Sequence, residues 1–312
     1  MRIIIFILLI IFCAVAFVCS ESVKEPVMTD TPEKTEEPAA TPTDLYDWSI
    51  WKYFAYDQKS REEAFRDLKL SAEAGYVPAQ VRLGICYFYG RGTKKNLEKS
   101  IEILDKYVPL LEIEAQKDTN AMYELGNCYI HGVGIQANKY EGYRFMNKAA
   151  NKEHKLAMET VAYCLMRGIG CEKNVPEAIK WFEKAQIKGS TAATYQLALF
   201  YLNGIGKKKD HAKAMELLTK SHEAGNLDAT LYLGTIYLNG IGEKIDEKKA
   251  FEYFEIAAKG NQPRAMYYLG RCICDGIGTE QNMEKGLLWI LNAAAEGDDL
   301  ALNMLDEQEE KK

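Results

Sequence analysis

Residues 193–225 read ATYQLALFYLNGIGKKKDHAKAMELLTKSHEAG: two stretches with helical spacing of apolar residues, on either side of a glycine-bearing turn. Such a segment predicts a helix, a tight turn and an antiparallel helix. Its elements recur along the chain. Gly-x-Gly stands at Gly90/Gly92, Gly132/Gly134, Gly168/Gly170, Gly204/Gly206, Gly240/Gly242 and Gly276/Gly278, with a step of 36 residues from the second copy onward. Ala121, Ala157, Ala193, Ala229, Ala265 and Ala301 keep the same 36-residue step, and Ala79 stands 42 residues before the first of them. A fixed period means stacked repeats rather than one folded core, so function has to be read from a stacked surface.

Counting from the repeated alanine as position 0, the first helix carries Leu at +4, a small residue at +5 and usually Tyr at +8, as in Ala229, Leu233, Gly234 and Tyr237. These positions share one helical face and are expected to pack on the second helix. The second helix sets small residues against bulky ones, as in Ala250, Tyr253, Phe254, Ala257 and Ala258, which lets neighbouring helices interlock. Four residues after each second glycine stands Asn96, Asn138, Asn174, Asp210, Asp246 or Asn282, all N-cap types expected to start the second helix. The first glycine of each pair is expected to end the first helix, because glycine takes a positive φ without strain. Ser60, followed by Glu63 and Ala64, predicts a capping box that opens an extra half-unit ahead of the array.

The pattern Ala-x3-Leu-Gly-x2-Tyr-x2-Gly-x-Gly, then Asn/Asp, then a small-aromatic helix closing in Ala-Ala and Gly, resembles the Sel-one-like repeat (SLR) family, relatives of the tetratricopeptide repeats. The match covers roughly residues 60–306. Departures are Val161-Ala162 and Leu197-Ala198 for Leu-Gly, Leu165 and Ile273 for Tyr, and six extra residues around Val108–Asn120, read as lying in a linker. The resemblance implies an all-α fold, an α/α solenoid (right-handed superhelix) of about six 36-residue helix-turn-helix repeats. It also implies binding of a protein or peptide partner, often as an adaptor in exported, periplasmic or endoplasmic-reticulum complexes.

The domain reading is a signal peptide over 1–20, a disordered spacer over 21–44, the solenoid over 45–306 and a charged tail over 307–312. Arg2 precedes an unbroken apolar run from Ile3 to Val18, short for a membrane span but suited to a signal-peptide core. Cleavage before Glu21, lipidation at Cys19 and an uncleaved anchor all remain open. Any membrane contact is expected through that N-terminal anchor or lipid, and the chain is expected to be exported. Residues 21–44, rich in Pro, Thr and Glu without apolar periodicity, read as a disordered spacer.

A formal charge of −6 leaves no basic footprint, so nucleic acid is not expected as a partner. Gly-x-Gly lacks the preceding strand and third glycine of a dinucleotide fingerprint, and reads as a structural turn. Cys86, Cys128, Cys164 and Cys272 share the repeat position held elsewhere by Phe200 and Ile236, which marks an apolar slot for free thiols. Stacked equivalents stand about 8–10 Å apart, beyond disulfide reach. Cys272 and Cys274 point to different sides of one helix, and Cys164 with Cys171 is the one pair worth testing for a bridge. His131, His154, His211 and His222 show no metal spacing, and no nucleophile motif is present, so neither an enzyme nor a cofactor or metal site is expected. Some cysteine-rich SLR proteins have been linked to binding or hydrolysing β-lactams, but the regular cysteine pairing of that subgroup is missing here.

Positions +2, +6 and +9 of the first helices point away from the second helix, yet they are mostly apolar or aromatic. Position +2 reads Val81, Tyr123, Glu159, Tyr195, Leu231 and Tyr267; +6 adds Tyr163; +9 reads Phe88, Ile130, Met166, Leu202, Leu238 and Cys274. The +9 residues read as packing between successive first helices. Val81, Tyr123, Tyr163, Tyr195, Leu231 and Tyr267 read as lining a concave groove for a protein or peptide, since a phenol offers apolar area with a hydrogen-bonding tip. The alternative is docking of the outer face into a larger assembly.

Overall fold

The computed structural model describes residues 40–310. The signal-peptide reading and nearly all of the spacer fall outside these residues. Fifteen helices are described, with no strand among the described residues: α1 Pro42–Tyr53, α2 Gln58–Glu73, α3 Val77–Tyr89, α4 Leu97–Glu114, α5 Thr119–His131, α6 Lys139–Asn151, α7 Lys155–Arg167 and α8 Val175–Ile187. They continue with α9 Thr191–Asn203, α10 His211–Glu223, α11 Leu227–Asn239, α12 Glu247–Lys259, α13 Pro263–Asp275, α14 Met283–Ala295 and α15 Asp299–Glu310. Each helix packs on the next in the chain, which makes an α/α solenoid whose core runs between helix pairs.

The repeat residues perform the tasks assigned to them. Asn96, Asn138, Asn174, Asp210, Asp246 and Asn282 each cap a second helix by accepting a backbone N–H with the side chain. Gly168, at φ 73°, ends α7 in the left-handed conformation, and the first glycine of every other pair does the same for its helix. The second glycine serves a different need. A β-carbon at Gly170 would land on the Lys139 carbonyl at the start of α6, and one at Gly92 or Gly278 would meet the Arg61 or Glu247 carbonyl, so these turns can seat on the preceding second helix only because no side chain is there. Small positions on the first helices do likewise: a methyl at Gly234 would sit 2.6 Å from the Phe254 ring, which is fully buried in that space.

Four boundaries differ from the sequence reading. The first helix starts at Pro42, inside the stretch read as spacer, because Thr41 and Asp44 form a capping box and Pro42 sits at the first helical position, which has no hydrogen bond to lose. Helix α15 runs on to Glu310, into the stretch read as a tail. Helix α2 is capped by Asp57, one turn before Ser60, so the half-unit carries an extra turn. Five of the six extra residues lengthen α4 rather than a linker: Val108 and Leu111, with Ala115 at the C-cap, bury an apolar stripe that extends this helix past Pro109.

Candidate partner-binding face

A second ladder of caps sets the orientation of the first helices. Asp118, His154, Ser190, Asn226, Gln262 and Asp298, each three residues before the repeated alanine, accept its backbone N–H at 2.6–3.1 Å. His and Gln are poor predictors of an N-cap, which hid this ladder from the residue pattern. With the +4 and +5 residues committed to the second helix, positions +2, +3 and +6 are left on the other side.

The candidate residues divide by accessibility. Val81 is fully buried and Tyr123 is 4% exposed, so neither presents a free surface, contrary to expectation. Tyr163, Tyr195, Leu231 and Tyr267 are half-buried. Tyr163 meets Phe182 edge-on at 5.1 Å, and Tyr195 meets Tyr232 of the next repeat at 6.1 Å. Tyr267 stands against Tyr268 at 5.5 Å and accepts a hydrogen bond from Arg271 at 3.4 Å. Burial raises the Tyr163 phenol to about 12, with Glu159 adding to the shift, and raises Tyr195 further, with Asp228 assisting. The +9 residues Leu202 and Cys274 are buried and Phe88, Ile130, Met166 and Leu238 pack against the core, as expected for contacts between helices.

What covers Val81 and Tyr123 is the chain itself. Helix α1 pairs with α2, but its other face closes on the following first helices. The Tyr46 hydroxyl donates to Glu124 of α5, Asn120 donates to Asp47 at 3.0 Å, and Leu156 of α7 packs against the cluster of Tyr46, Ile50 and Tyr53. Beyond α1, Tyr56 donates to Asp228 of α11 at 2.8 Å, and Gln262 donates to the same carboxylate at 3.2 Å. A contact between residues 172 apart means that the first-helix face curves back on itself and is the inner one.

The polar groups missed by the sequence reading lie mostly at +3 and at the caps. Arg82 and Glu124, both at +3, form a buried ion pair at 2.6 Å, and Arg82 lies 5.0 Å from the Tyr53 ring centroid and 5.7 Å from that of Tyr123. Burial works against the guanidinium charge, but Glu124 and the surrounding phenols outweigh it and raise the Arg82 pKa. His154 stacks on Tyr123 at 4.7 Å; its Nδ1 accepts the Ala157 N–H, so Nε2 carries the proton donated to Asn120, 3.0 Å away. Burial lowers the His154 pKa to about 4. Two charged residues on an otherwise apolar helix face were the legible signal here.

Among the described residues, no group of three or more His, Cys, Asp and Glu side chains is placed to hold a metal ion. The six cysteines of this region are free, and Cys164 and Cys171 are not bridged. Burial pushes Cys86, Cys128 and Cys164 up to about 12 and Cys272 to about 11. Among the described residues, no helix is long and apolar enough to cross a membrane.

This stack of capped helix pairs is a repeat solenoid of the tetratricopeptide type, and comparison with known proteins identifies the repeat. The Sel1 repeat matches at residues 77–106, 119–154, 155–186, 191–226, 227–262 and 263–298, so the chain belongs to the Sel1 repeat family. Proteins of this family are generally protein-interaction scaffolds, and the fold is typically non-enzymatic. A Sel1 repeat protein from Oxalobacter formigenes has a similar structure, with a TM-score of 0.56 and 22% identity over 86% of each chain. An immunity protein from Pseudomonas aeruginosa is similar in fold, with a TM-score of 0.51 and 15% identity over 72% of this chain and 82% of the other. The ERAD-associated E3 ubiquitin-protein ligase component HRD3A of Arabidopsis thaliana is 33% identical over 100 residues, which make up 32% of this chain and 14% of that protein.

Proposed function

We propose that this chain is a non-enzymatic scaffold that holds a protein or peptide partner along the inner face of its later repeats, against Tyr163, Tyr195, Leu231 and Tyr267. The observation that supports this reading is the way the same face already holds polypeptide. Helix α1 lies on it through a phenol, a carboxylate and an apolar row, and the half-buried tyrosines continue that chemistry where α1 ends. Tyrosine suits such a surface because it adds contact area at little conformational cost while keeping a polar tip. Export is part of the proposal and rests on the apolar run from Ile3 to Val18.

Site-specific photo-crosslinking in the native host tests it. A crosslinker in place of Leu231 is expected to capture a discrete partner, and one in place of the exposed Glu216 on α10 is not. Replacing Tyr195 and Tyr267 together by Ala is expected to weaken that capture by roughly 2 kcal/mol while thermal unfolding stays cooperative. Capture at Glu216 and not at Leu231 would overturn the reading in favour of outer-face docking.

A further inference from the structure

A cavity of about 400 Å³ lies between the end of α1, the start of α2 and the first two repeats. Its lining is unlike the tyrosine face. Arg61, Arg82 and Arg91 converge there with Asn127 and His131, and Tyr53, Phe54, Tyr89 and Tyr123 supply aromatic walls. Tyr53 is held between two guanidiniums, with Arg82 5.0 Å and Arg91 4.8 Å from its ring centroid. Arg91 is anchored by one bond, from Nε to the Tyr53 carbonyl at 2.7 Å, and Arg61 by bonds to the carbonyls of Ala55 and Tyr56. The backbone thus fixes the forks without neutralising them.

The charges in the cavity do not balance. Glu124 offsets Arg82, and Asp57 is close enough to Arg61 to feel its charge. Among the described residues, Arg91 has no carboxylate partner of that kind: burial lowers its pKa, and Arg61 and Arg82 add to that against the opposing effect of Tyr53. Burial, and then Arg82, also lower the pKa of His131, which leaves that imidazole neutral at pH 7. Among the described residues, Arg82 Nη2 and Asn127 Nδ2 are buried donors without a hydrogen bond and Glu124 Oε2 is a buried acceptor without one, so this cluster offsets its own charge and the unmatched cation is Arg91. Two wall residues remain open to the outside, Phe54 at 50% and Tyr89 at 53% exposure.

We infer that this cavity is a binding site for a monocarboxylate carried on an aromatic or apolar group. The carboxylate supplies the missing negative charge opposite Arg91 and accepts from the fork that a planar guanidinium offers, and the ring lies between Phe54 and Tyr89. The volume is in the range of small-ligand pockets, enough for one group of amino-acid size. The site is separate from the tyrosine face and binds whether or not that face takes a partner.

Isothermal titration of the purified chain with N-acetyl-phenylalanine and with its neutral amide tests the assignment. The acid is expected to bind at least tenfold more tightly than the amide. Arg91→Gln is expected to lose at least tenfold for the acid with little change for the amide, and Phe54→Ala several-fold for both. Phe54 is half exposed, so that variant tests the wall even where Arg91→Gln disturbs the turn. Equal affinity for acid and amide, no binding of the acid at millimolar concentration, or wild-type binding by both variants would overturn the site. A longer peptide ending in a free phenylalanine separates the sources of such a group: tighter binding than the short acid assigns the site to a polypeptide end, and equal binding assigns it to a small organic acid.

Discussion

Arg82 and Glu124 occupy the same position in two successive repeats, and their side chains meet at 2.6 Å with almost no exposure of either. The pair ties α3 to α5 directly. Tyr46 adds a third member by donating to the same carboxylate. Removing one member of a buried pair strands the other charge, so Glu124→Ala is expected to cost about 3–5 kcal/mol in urea unfolding. Replacing both partners by apolar residues, Arg82→Met with Glu124→Leu, is expected to cost much less. Equal costs for the single and the double change would show that the pair is not what holds these helices together.

Buried thiols make a test of a different kind. Cys86, Cys128 and Cys164, each pushed up to about 12 by burial, are expected to resist alkylation in the native protein at pH 8, and Cys272 likewise at about 11. The half-buried Cys171 is expected to react first. Unfolding without reductant is expected to label all of them, and mass spectrometry distinguishes the two states. A mass two protons short, persisting after denaturation, would show a disulfide instead.

The cap ladder of the second helices predicts unequal effects from equal substitutions. Asn174→Ala removes the acceptor for the Glu177 N–H at the start of α8 and is expected to cost about 1 kcal/mol. Asn151→Ala removes only exposed contacts to Asn147 within α6 and is expected to cost less. Because neighbouring repeats share their interfaces, the loss at Asn174 is expected to appear in hydrogen exchange of α7 and α9 as well. Matching denaturant midpoints for the two variants would contradict the cap assignment.

The solenoid was legible because its determinants are local and repeated. A glycine at Gly168, a cap at Asn174 and a small-large interlock at Gly234 and Phe254 each act within one unit, so the 36-residue period displays them several times over. The inner face was legible only in part. Tyr195 and Leu231 keep some exposure, but the burial of Val81 and Tyr123 depends on how far the stack curves and on what α1 touches after folding. Curvature is the sum of small rotations between repeats and leaves no motif behind. The Tyr56–Asp228 contact and the arginine cavity follow from that curvature and from the boundary of the array, where residues occur once and periodicity carries no information. The linker reading of the extra residues around Val108–Asn120 failed for a related reason, since a helix interior can tolerate Pro109 when Val108 and Leu111 on either side are buried.

His154 gives the array a pH dependence of definite sign. Its imidazole caps α7 through Nδ1, bonds Asn120 through Nε2 and stacks on Tyr123, and burial lowers its pKa to about 4. An unfolded histidine titrates near 6.5. Between these values the unfolded chain takes up a proton that the folded chain does not, so the stabilisation is complete above about pH 6.5 and is lost as the pH falls toward 4. The full loss is of the order of 3 kcal/mol. His154→Asn keeps a capping oxygen but has no proton to gain, so its stability is expected to vary less over the same range. Urea unfolding at pH 7, 5.5 and 4 measures the difference between the two proteins, in which the contributions of Glu124, Glu159 and His131 largely cancel. That difference is expected to shift against the wild type by about 2–3 kcal/mol on acidification. A difference that stays constant with pH would mean that the imidazole is protonated in the folded protein as readily as in water, and that the cap is made by another tautomer or not at all.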